Sequence, residues 1–303
     1  MIYTVTCNPS VDYHMDLGNN SLLVGEINRA EGERAYPGGK GLNVSIILYR
    51  LGIESKATGF VAGRAGEYLC GLIRDMGCQE DFIRMSEGET RINVKLDCET
   101  ETAVNGCGPQ VDRTSVNMLL DMVWQTTPED MIILCGRAQE EIKDIYALIC
   151  EITPGRVIVD TSGQALRDTF GFHPWLIKPN LDELCELFGQ TDPSEAEVLQ
   201  MMKKCQDEGV RNVLVSMGGD GALLLNDKNM VYRACLQNKR PVRSTVGAGD
   251  SMLAGFIAGM LNDPDDCASA LRLACAAGTA TAYTTWLSER EEIEEQKKNV
   301  RVS

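Results

Sequence analysis

Short unbroken apolar runs alternate along this chain with longer stretches in which apolar residues recur every three or four positions. The short runs are "IYTVTC" at the start, then "KATGFVA", "MIILCG", "RVIVD", "WLIKPN" and "NVLVSMGG". They are rich in β-branched residues and bounded by Gly, Pro or polar turns, the pattern of buried strands. Between them, "GLNVSIILYRLG" predicts a helix stopped by Gly52, and "GEYLCGLIRDMG" one ending at Gly77. "EEIKDIYALICEI" and "EAEVLQMMKKCQDEG" predict two more. From Met252 the apolar residues fall at Leu253, Phe256, Ile257, Met260 and Leu261, one stripe of a helix ending before Asn262-Asp263-Pro264. The acidic "SEREEIEEQKKN" predicts a terminal helix with a solvated charged face. Repeated β-α order implies an α/β fold, a parallel sheet with helices on both faces and ligands at the carboxyl ends of its strands.

Two segments break that rhythm. "VDYHMDL" through "INRAEGERAYP", and later "RINVKLDCETETAVNG", alternate polar and apolar residues without a helical period. They predict antiparallel strands with one solvated face. Such strands make either a small β-lid packed over a ligand cleft or a pair of surface hairpins without a function.

Composition acts mainly by exclusion. With 44 acidic against 29 basic residues the net charge is −15, which argues against nucleic acid or an anionic membrane as partner. An anionic metabolite would have to be held locally, by amides, Lys and Arg. At 303 residues the chain suits one large α/β domain or two smaller ones. Its 12 Cys form no C-x-x-C pair and fit neither a zinc ribbon nor a redox motif. Cys135, Cys150 and Cys275 fall in apolar runs, where a thiol behaves as a small hydrophobe. The N-terminus lacks the charged region and apolar core of a signal peptide, and no apolar stretch is long enough to span a bilayer. The expectation is a reduced, cytoplasmic protein. His14 and His173, the only histidines, are thin material for a triad or a metal cluster.

Candidate chemistry gathers where glycines open helices. In "TVGAGDSMLAG", Gly247, Ala248 and Gly249 precede Asp250 at a helix start, where bare amides attract anions. Asp250 is then either a helix N-cap or a general base beside an anion hole. "YPGGKGLNVS" is not a P-loop, because Pro37 stands where the second Gly belongs and Gly41 follows Lys40. Its consecutive glycines Gly38 and Gly39 still admit a ligand to the backbone, Lys40 adds a cation, and Asn43 lies one turn beyond Gly39. In "LIKPNLDEL", Asn180 and Glu183 share a helix face, as a capping box or as outer ligands of a hydrated Mg²⁺. "NVLVSMGGDGALLL" is strand, glycine turn, strand, and Ser216, Gly218, Gly219 and Gly221 either admit a phosphate or make a hairpin.

The order of these motifs, with Asp12 after the first strand and Thr90-Arg91 in the second polar segment, resembles the ribokinase-like sugar kinases of the phosphofructokinase-B family over nearly the whole chain. "MIYTVTCNPSVDY", "YPGGKGLNVS", "TRINVKL" and "STVGAGDSMLAGF" are similar to its bacterial 1-phosphofructokinase branch, with the tagatose 6-phosphate kinases very near. The resemblance implies one doubly wound, mostly parallel domain over 1–303 with a β-lid from about 11–36 and 88–106, and a homodimer in which lids clasp. It implies ATP and Mg²⁺ as cofactors and leaves a role for K⁺ open. By it, Asp250 is the base for the C6 hydroxyl of fructose 1-phosphate, and Gly247, Ala248 and Gly249 form the anion hole. Asp12, Gly38, Gly39, Lys40, Asn43 and Arg91 hold the sugar phosphate, with Lys40 and Arg91 on its existing phosphate. Lys178, Asn180, Ser216, Gly218, Gly219 and Gly221 face the nucleotide, with "AAGTATA" after Cys275, while Asn180 and Glu183 order Mg²⁺ through water. Alternatives are a tagatose 6-phosphate or fructose 6-phosphate kinase, or a regulator that binds sugar phosphate without catalysis. One turn departs from the family: Cys135-Gly136-Arg137-Ala138-Gln139 replaces Ser-Gly-Ser-Leu-Pro. The expectation is that Arg137 supplies a phosphate contact in place of the lost hydroxyls.

Overall fold

The computed structural model describes residues 1–303 apart from Asn19, Asn20 and Glu101. In chain order its first elements are β1 (Ile2–Thr6), β2 (Ser10–Asp16), β3 (Gly32–Gly38), α1 (Lys40–Arg50), β4 (Lys56–Ala62), α2 (Gly63–Asp75), β5 (Gln79–Glu80), β6 (Ile83–Met85), β7 (Arg91–Asp97) and β8 (Thr102–Asn105). Next come α3 (Arg113–Trp124), β9 (Met131–Cys135), α4 (Ile145–Ile152), β10 (Arg156–Asp160), α5 (Gly163–Arg167), β11 (Leu176–Ile177), α6 (Leu181–Phe188), α7 (Glu195–Asp207) and β12 (Asn212–Ser216). The last are β13 (Ala222–Leu225), β14 (Val231–Leu236), α8 (Ala248–Asn262), α9 (Cys267–Ala282), α10 (Arg290–Lys297) and β15 (Val300–Val302).

The main sheet runs β15-β14-β13-β12-β11-β10-β9-β1-β4-β5, with β6 also on β4. Pairings from β12 to β5 are parallel, and β13, β14 and β15 continue it antiparallel. The unbroken apolar runs have a simple cause. Met131, Ile133 and Cys135 of β9 enter a core shared with α1, α8 and α9, whereas Ile132 and Leu134 enter another with α3, α4 and α7. Alternate residues of these central strands feed different cores, so few positions are left for a polar side chain. Each such Ile or Leu contributes about 1.5–3 kcal/mol of burial. β1 lies between β4 and β9, so the chain builds outward one way and then returns to build the other. That reversal opens a crevice at the carboxyl ends of β1 and β9.

A second, four-stranded sheet has the order β3-β2-β7-β8. Its hairpins β2–β3 and β7–β8 are antiparallel, but β2 and β7 pair in parallel, with Ser10 opposite Arg91 and Asp12 opposite Asn93. The all-antiparallel expectation is corrected here. β2 and β7 are separated by α1, β4 and α2, and a crossover of that length returns the chain to the same end of the sheet. Two further expectations change. "EEIKDIYALICEI" divides into a 3₁₀ turn at Glu140–Ile142 and α4; Ile142 and Ile145 are both buried, a three-residue spacing that a tighter turn aligns. "WLIKPN" keeps only Leu176–Ile177 as strand, because Pro179 has no N–H for the ladder. Among the described residues no helix is long and apolar enough to cross a membrane.

Candidate active site

A cleft of about 1000 Å³ opens at the carboxyl ends of β1, β9 and β11, under one face of the small sheet. Asp12, Gly39, Lys40, Asn43 and Arg91 line it from the small sheet and α1; Arg137, Lys178, Asn180 and Glu183 line it from the ends of β9 and β11 and the start of α6. Ser216, Gly218, Gly219 and Gly221 come from the β12–β13 turn, and Gly247, Ala248, Gly249 and Asp250 from the start of α8. Gly278, Thr279 and Ala282 of the "AAGTATA" stretch join them. Gly38 is the exception. A Cβ there would come 2.3 Å from both Asp12 Oδ1 and Ser10 Oγ, so Gly38 makes room for Asp12 and does not reach the cleft itself.

Asp250 is the third residue of α8. The N-cap is Gly247, in the left-handed region at φ +77°, without a side-chain cap, so the capping reading of Asp250 is set aside. Its carboxylate instead accepts a 2.7 Å hydrogen bond from Asn43 Nδ2, which α1 presents one turn beyond Gly39, Asn43 N donating to the Gly39 carbonyl at 3.0 Å. Asp250 is only 5% exposed. Burial pushes its carboxyl up to about 6, helped by the charge of Asp160 and opposed by Lys40, Asn43 and Lys178.

Asp160, at the end of β10, was not foreseen as a site residue. It is fully buried beneath the cleft and bridges Lys40 Nζ at 3.1 Å and Lys178 Nζ at 3.3 Å. Burial alone would favour its neutral form, but the two ammonium groups outweigh that and hold it below the usual carboxylate range. For Lys40 burial likewise opposes charge, while Asp160, Asp250 and Glu183 raise it above the ordinary lysine range. The Lys178 ammonium also adjoins the helix start, 3.3 Å from where a Cβ on Gly249 would lie. Two carboxyls in one site, pushed apart, give one fixed anion and one group poised to take a proton. The sequence did carry a signal for Asp160, a carboxylate at the carboxyl end of a buried parallel strand.

Asp12 is held on three sides, by Ser10 Oγ at 2.7 Å, Asn93 Nδ2 at 2.8 Å and Lys95 Nζ at 3.1 Å. Ser10 and Asn93 were also unforeseen; they share the face of Asp12 through the β2–β7 register, which the sequence alone does not reveal. Asn180 and Glu183 form the capping box, Glu183 N donating to Asn180 Oδ1 at 2.7 Å and Asn180 N to Glu183 Oε2 at 2.9 Å. The glycine turn is an antiparallel hairpin that also faces the cleft.

The profile of the pfkB family carbohydrate kinases matches residues 6–288. This chain belongs to that family. The 1-phosphofructokinase of Bacillus subtilis is 39% identical to it over 307 aligned positions, which cover 100% of this chain and 99% of the relative. The D-tagatose-1-phosphate kinase of Bacillus licheniformis is 32% identical over 100% and 99% of the two chains. A solved Staphylococcus aureus structure, assigned provisionally as a phosphofructokinase, superposes with a TM-score of 0.90 at 38% identity, covering 100% of this chain and 98% of the other. This pfkB-family kinase is accordingly a phosphotransferase of the ribokinase-like fold, and membership brings ATP, a divalent cation and a carbohydrate acceptor.

Proposed function

We propose that this pfkB-family kinase transfers the γ-phosphoryl group of ATP to the C6 hydroxyl of fructose 1-phosphate, giving fructose 1,6-bisphosphate. The observation that carries the reading is the buried Asp250 carboxylate, with a raised pKa, beside the helix start of Gly247, Ala248 and Gly249, in a chain whose relatives at 39% and 34% identity are 1-phosphofructokinases. Phosphoryl transfer asks little covalent chemistry of a protein, and positioning with charge stabilisation supplies most of the rate. Asp250 takes the proton of the attacking hydroxyl, and the amides of Ala248 and Gly249, with Lys178, face the oxygens of the transferred group. Asp12, Gly39, Lys40, Asn43 and Arg91 hold the sugar. Ser216, Gly218, Gly219 and Gly221 border the nucleotide.

Asn180 and Glu183 fit a hydrated Mg²⁺. The capping box uses Glu183 Oε2, and one carboxylate with water and phosphate oxygens is a donor set that ion favours. The ion would neutralise charge on the β- and γ-phosphates. The four-stranded sheet, over about 11–36 and 88–106, acts as a lid that excludes water from the cleft, and its outward face, where Ile92 and Val104 are exposed, meets a second copy.

A second reading takes tagatose 1-phosphate, the C4 epimer, as acceptor, on the strength of the Bacillus licheniformis relative. A coupled ADP-release assay with Mg·ATP separates them, run with fructose 1-phosphate, tagatose 1-phosphate, fructose 6-phosphate and tagatose 6-phosphate. The highest kcat/KM is expected with fructose 1-phosphate; a higher value with any other acceptor overturns the reading.

A further inference from the structure

Residues 286–289, between α9 and α10, touch both the small sheet and the start of α8. On the sheet side, the Tyr36 ring of β3 stacks on Trp286, with centroids 4.5 Å apart and planes 20° apart. His14 of β2 meets Tyr36 edge-on at 5.4 Å. Stacked aromatic pairs attract beyond the area they bury. Tyr36 stands directly opposite Asp12 in the β2–β3 register, so its ring and the Asp12 carboxylate leave the sheet on the same face.

On the other side, the segment borders Asp250 at two points. A Cβ on Gly247 would lie 2.6 Å from Leu287 Cδ2, so the buried Leu287 side chain rests on the N-cap of α8. Ser288 is buried next to it. Its amide donates to Thr281 Oγ1 at 3.2 Å, and the two hydroxyls share a hydrogen bond at 3.0 Å. Thr281 Oγ1 in turn meets the hydroxyl of Ser251, the residue after Asp250, at 2.8 Å. Arg50, the last residue of α1, clamps the segment. Its guanidinium donates to the carbonyls of Leu287 at 2.7 Å and Ser288 at 3.0 Å, pairs with Glu289 at 2.8 Å and lies over the Trp286 ring at 5.2 Å. The same helix, two turns earlier, presents Asn43 to Asp250. Trp286 is thus the one ring through which β3 leans on a segment otherwise held to α1 and the start of α8.

We propose that Trp286 is a positioning residue: through its stack with Tyr36 it couples the seating of the small sheet on the acceptor to the placement of the Ala248 and Gly249 amides at the start of α8. The sheet is the element with two arrangements, seated and lifted, and the acceptor favours the seated one because Asp12 belongs to the sheet. The proposal rests on the roles given above to Asp250 and the start of α8.

The test compares Tyr36→Leu, Trp286→Leu, their double variant and Trp286→Phe in the full chain, by ADP release well below each melting temperature, with the sugar phosphate that the wild type turns over fastest. Each leucine variant should lose about 3- to 10-fold in kcat, the worth of one aromatic pair. The double variant should lose no more than about the larger single loss, because both remove the same contact. Trp286→Phe, which keeps a ring on Tyr36, should recover most of the rate, and Kd for ATP by calorimetry should stay within about twofold throughout. Tryptophan emission supplies a second readout: the part of the sugar-phosphate response that vanishes in Trp286→Phe should vanish in Tyr36→Leu as well. A lower melting temperature with kcat unchanged, losses that multiply in the double variant, or an emission response kept in Tyr36→Leu overturns the proposal. Should Trp286→Leu fail to fold, Tyr36→Leu carries the same kcat and emission tests. Asp250→Asn, run alongside, separates the two readings. If it keeps the wild-type kcat, the roles given to Asp250 and the start of α8 fail and this proposal with them; if it loses kcat while Tyr36→Leu and Trp286→Leu do not, this proposal alone falls.

Discussion

Asp250 meets two demands that conflict. A general base works best when its pKa approaches the working pH, and burial raises this carboxyl from 3.8 to about 6. Only the ionised form accepts a proton, so kcat/KM of the wild type should fall as pH drops through about 6. Asp250→Asn should lower kcat by about 10²–10⁴, read by ADP release across pH 5–9. Stability has the opposite sign. A folded pKa above the unfolded one stabilises the protein fully below the unfolded value, and that contribution is lost as pH rises through about 6. Ionised Asp250 therefore costs up to about 3 kcal/mol above that range, and Asp250→Asn should melt higher than the wild type at pH 8 but not at pH 4. Asp160→Asn should act differently. It leaves Lys40 and Lys178 without their shared anion, at about 3 kcal/mol by urea unfolding. It also removes a negative neighbour of Asp250, so the acid limb of the rate profile should move to lower pH.

The start of α8 is placed by glycines on its other face. A Cβ on Gly259 would lie 2.4 Å from Ala270 Cα, and one on Gly255 2.7 Å from the Leu273 carbonyl. These two positions, one turn apart, let α9 approach α8 backbone to backbone, and Gly278 does the same for the Ala248 carbonyl at 3.0 Å. Gly259→Val should force the helices apart, cost about 2–3 kcal/mol in urea unfolding and reduce kcat as the proposed anion hole at the start of α8 shifts. Gly71 of α2, with nothing within 4 Å of its would-be Cβ, is the contrast: Gly71→Ala should stabilise by about 0.5–1 kcal/mol. The helices α1, α2 and α7 were legible because a 3.6-residue stripe and a glycine stop are written within a dozen or so residues, α8 because its stripe runs to Asn262-Asp263-Pro264, and α10 from its run of charge. The parallel β2–β7 pairing was not, since its partners are about 80 residues apart and the local alternation is the same for either direction.

At the scale of the whole molecule, the small sheet presents one face to the cleft and leaves Ile92 and Val104 on the other 47% and 62% exposed. An apolar lid face exposed in one copy suits burial against another. Sedimentation should find the wild type as a dimer and Ile92→Glu/Val104→Glu as a monomer; a wild type that sediments as a monomer rejects the lid interface. Much else at this scale was already in the chain. The α/β class, the gathering of glycine-rich turns at the carboxyl ends of strands and the candidacy of Asp250 follow from periodicity, turn chemistry and helix starts, all properties of a few adjacent residues. The fold decided which groups meet. Asp160 reaches Lys40 across 120 positions and Asn43 reaches Asp250 across 207, and these pairings, not the residue types, determine which carboxyl stays ionised and which waits for a proton. The same holds for Arg137: its charge is plain in the sequence, but that none of the described carboxylates pairs with it is visible only in the fold, because Coulomb energy depends on distance in space and a sequence gives only distance along the chain.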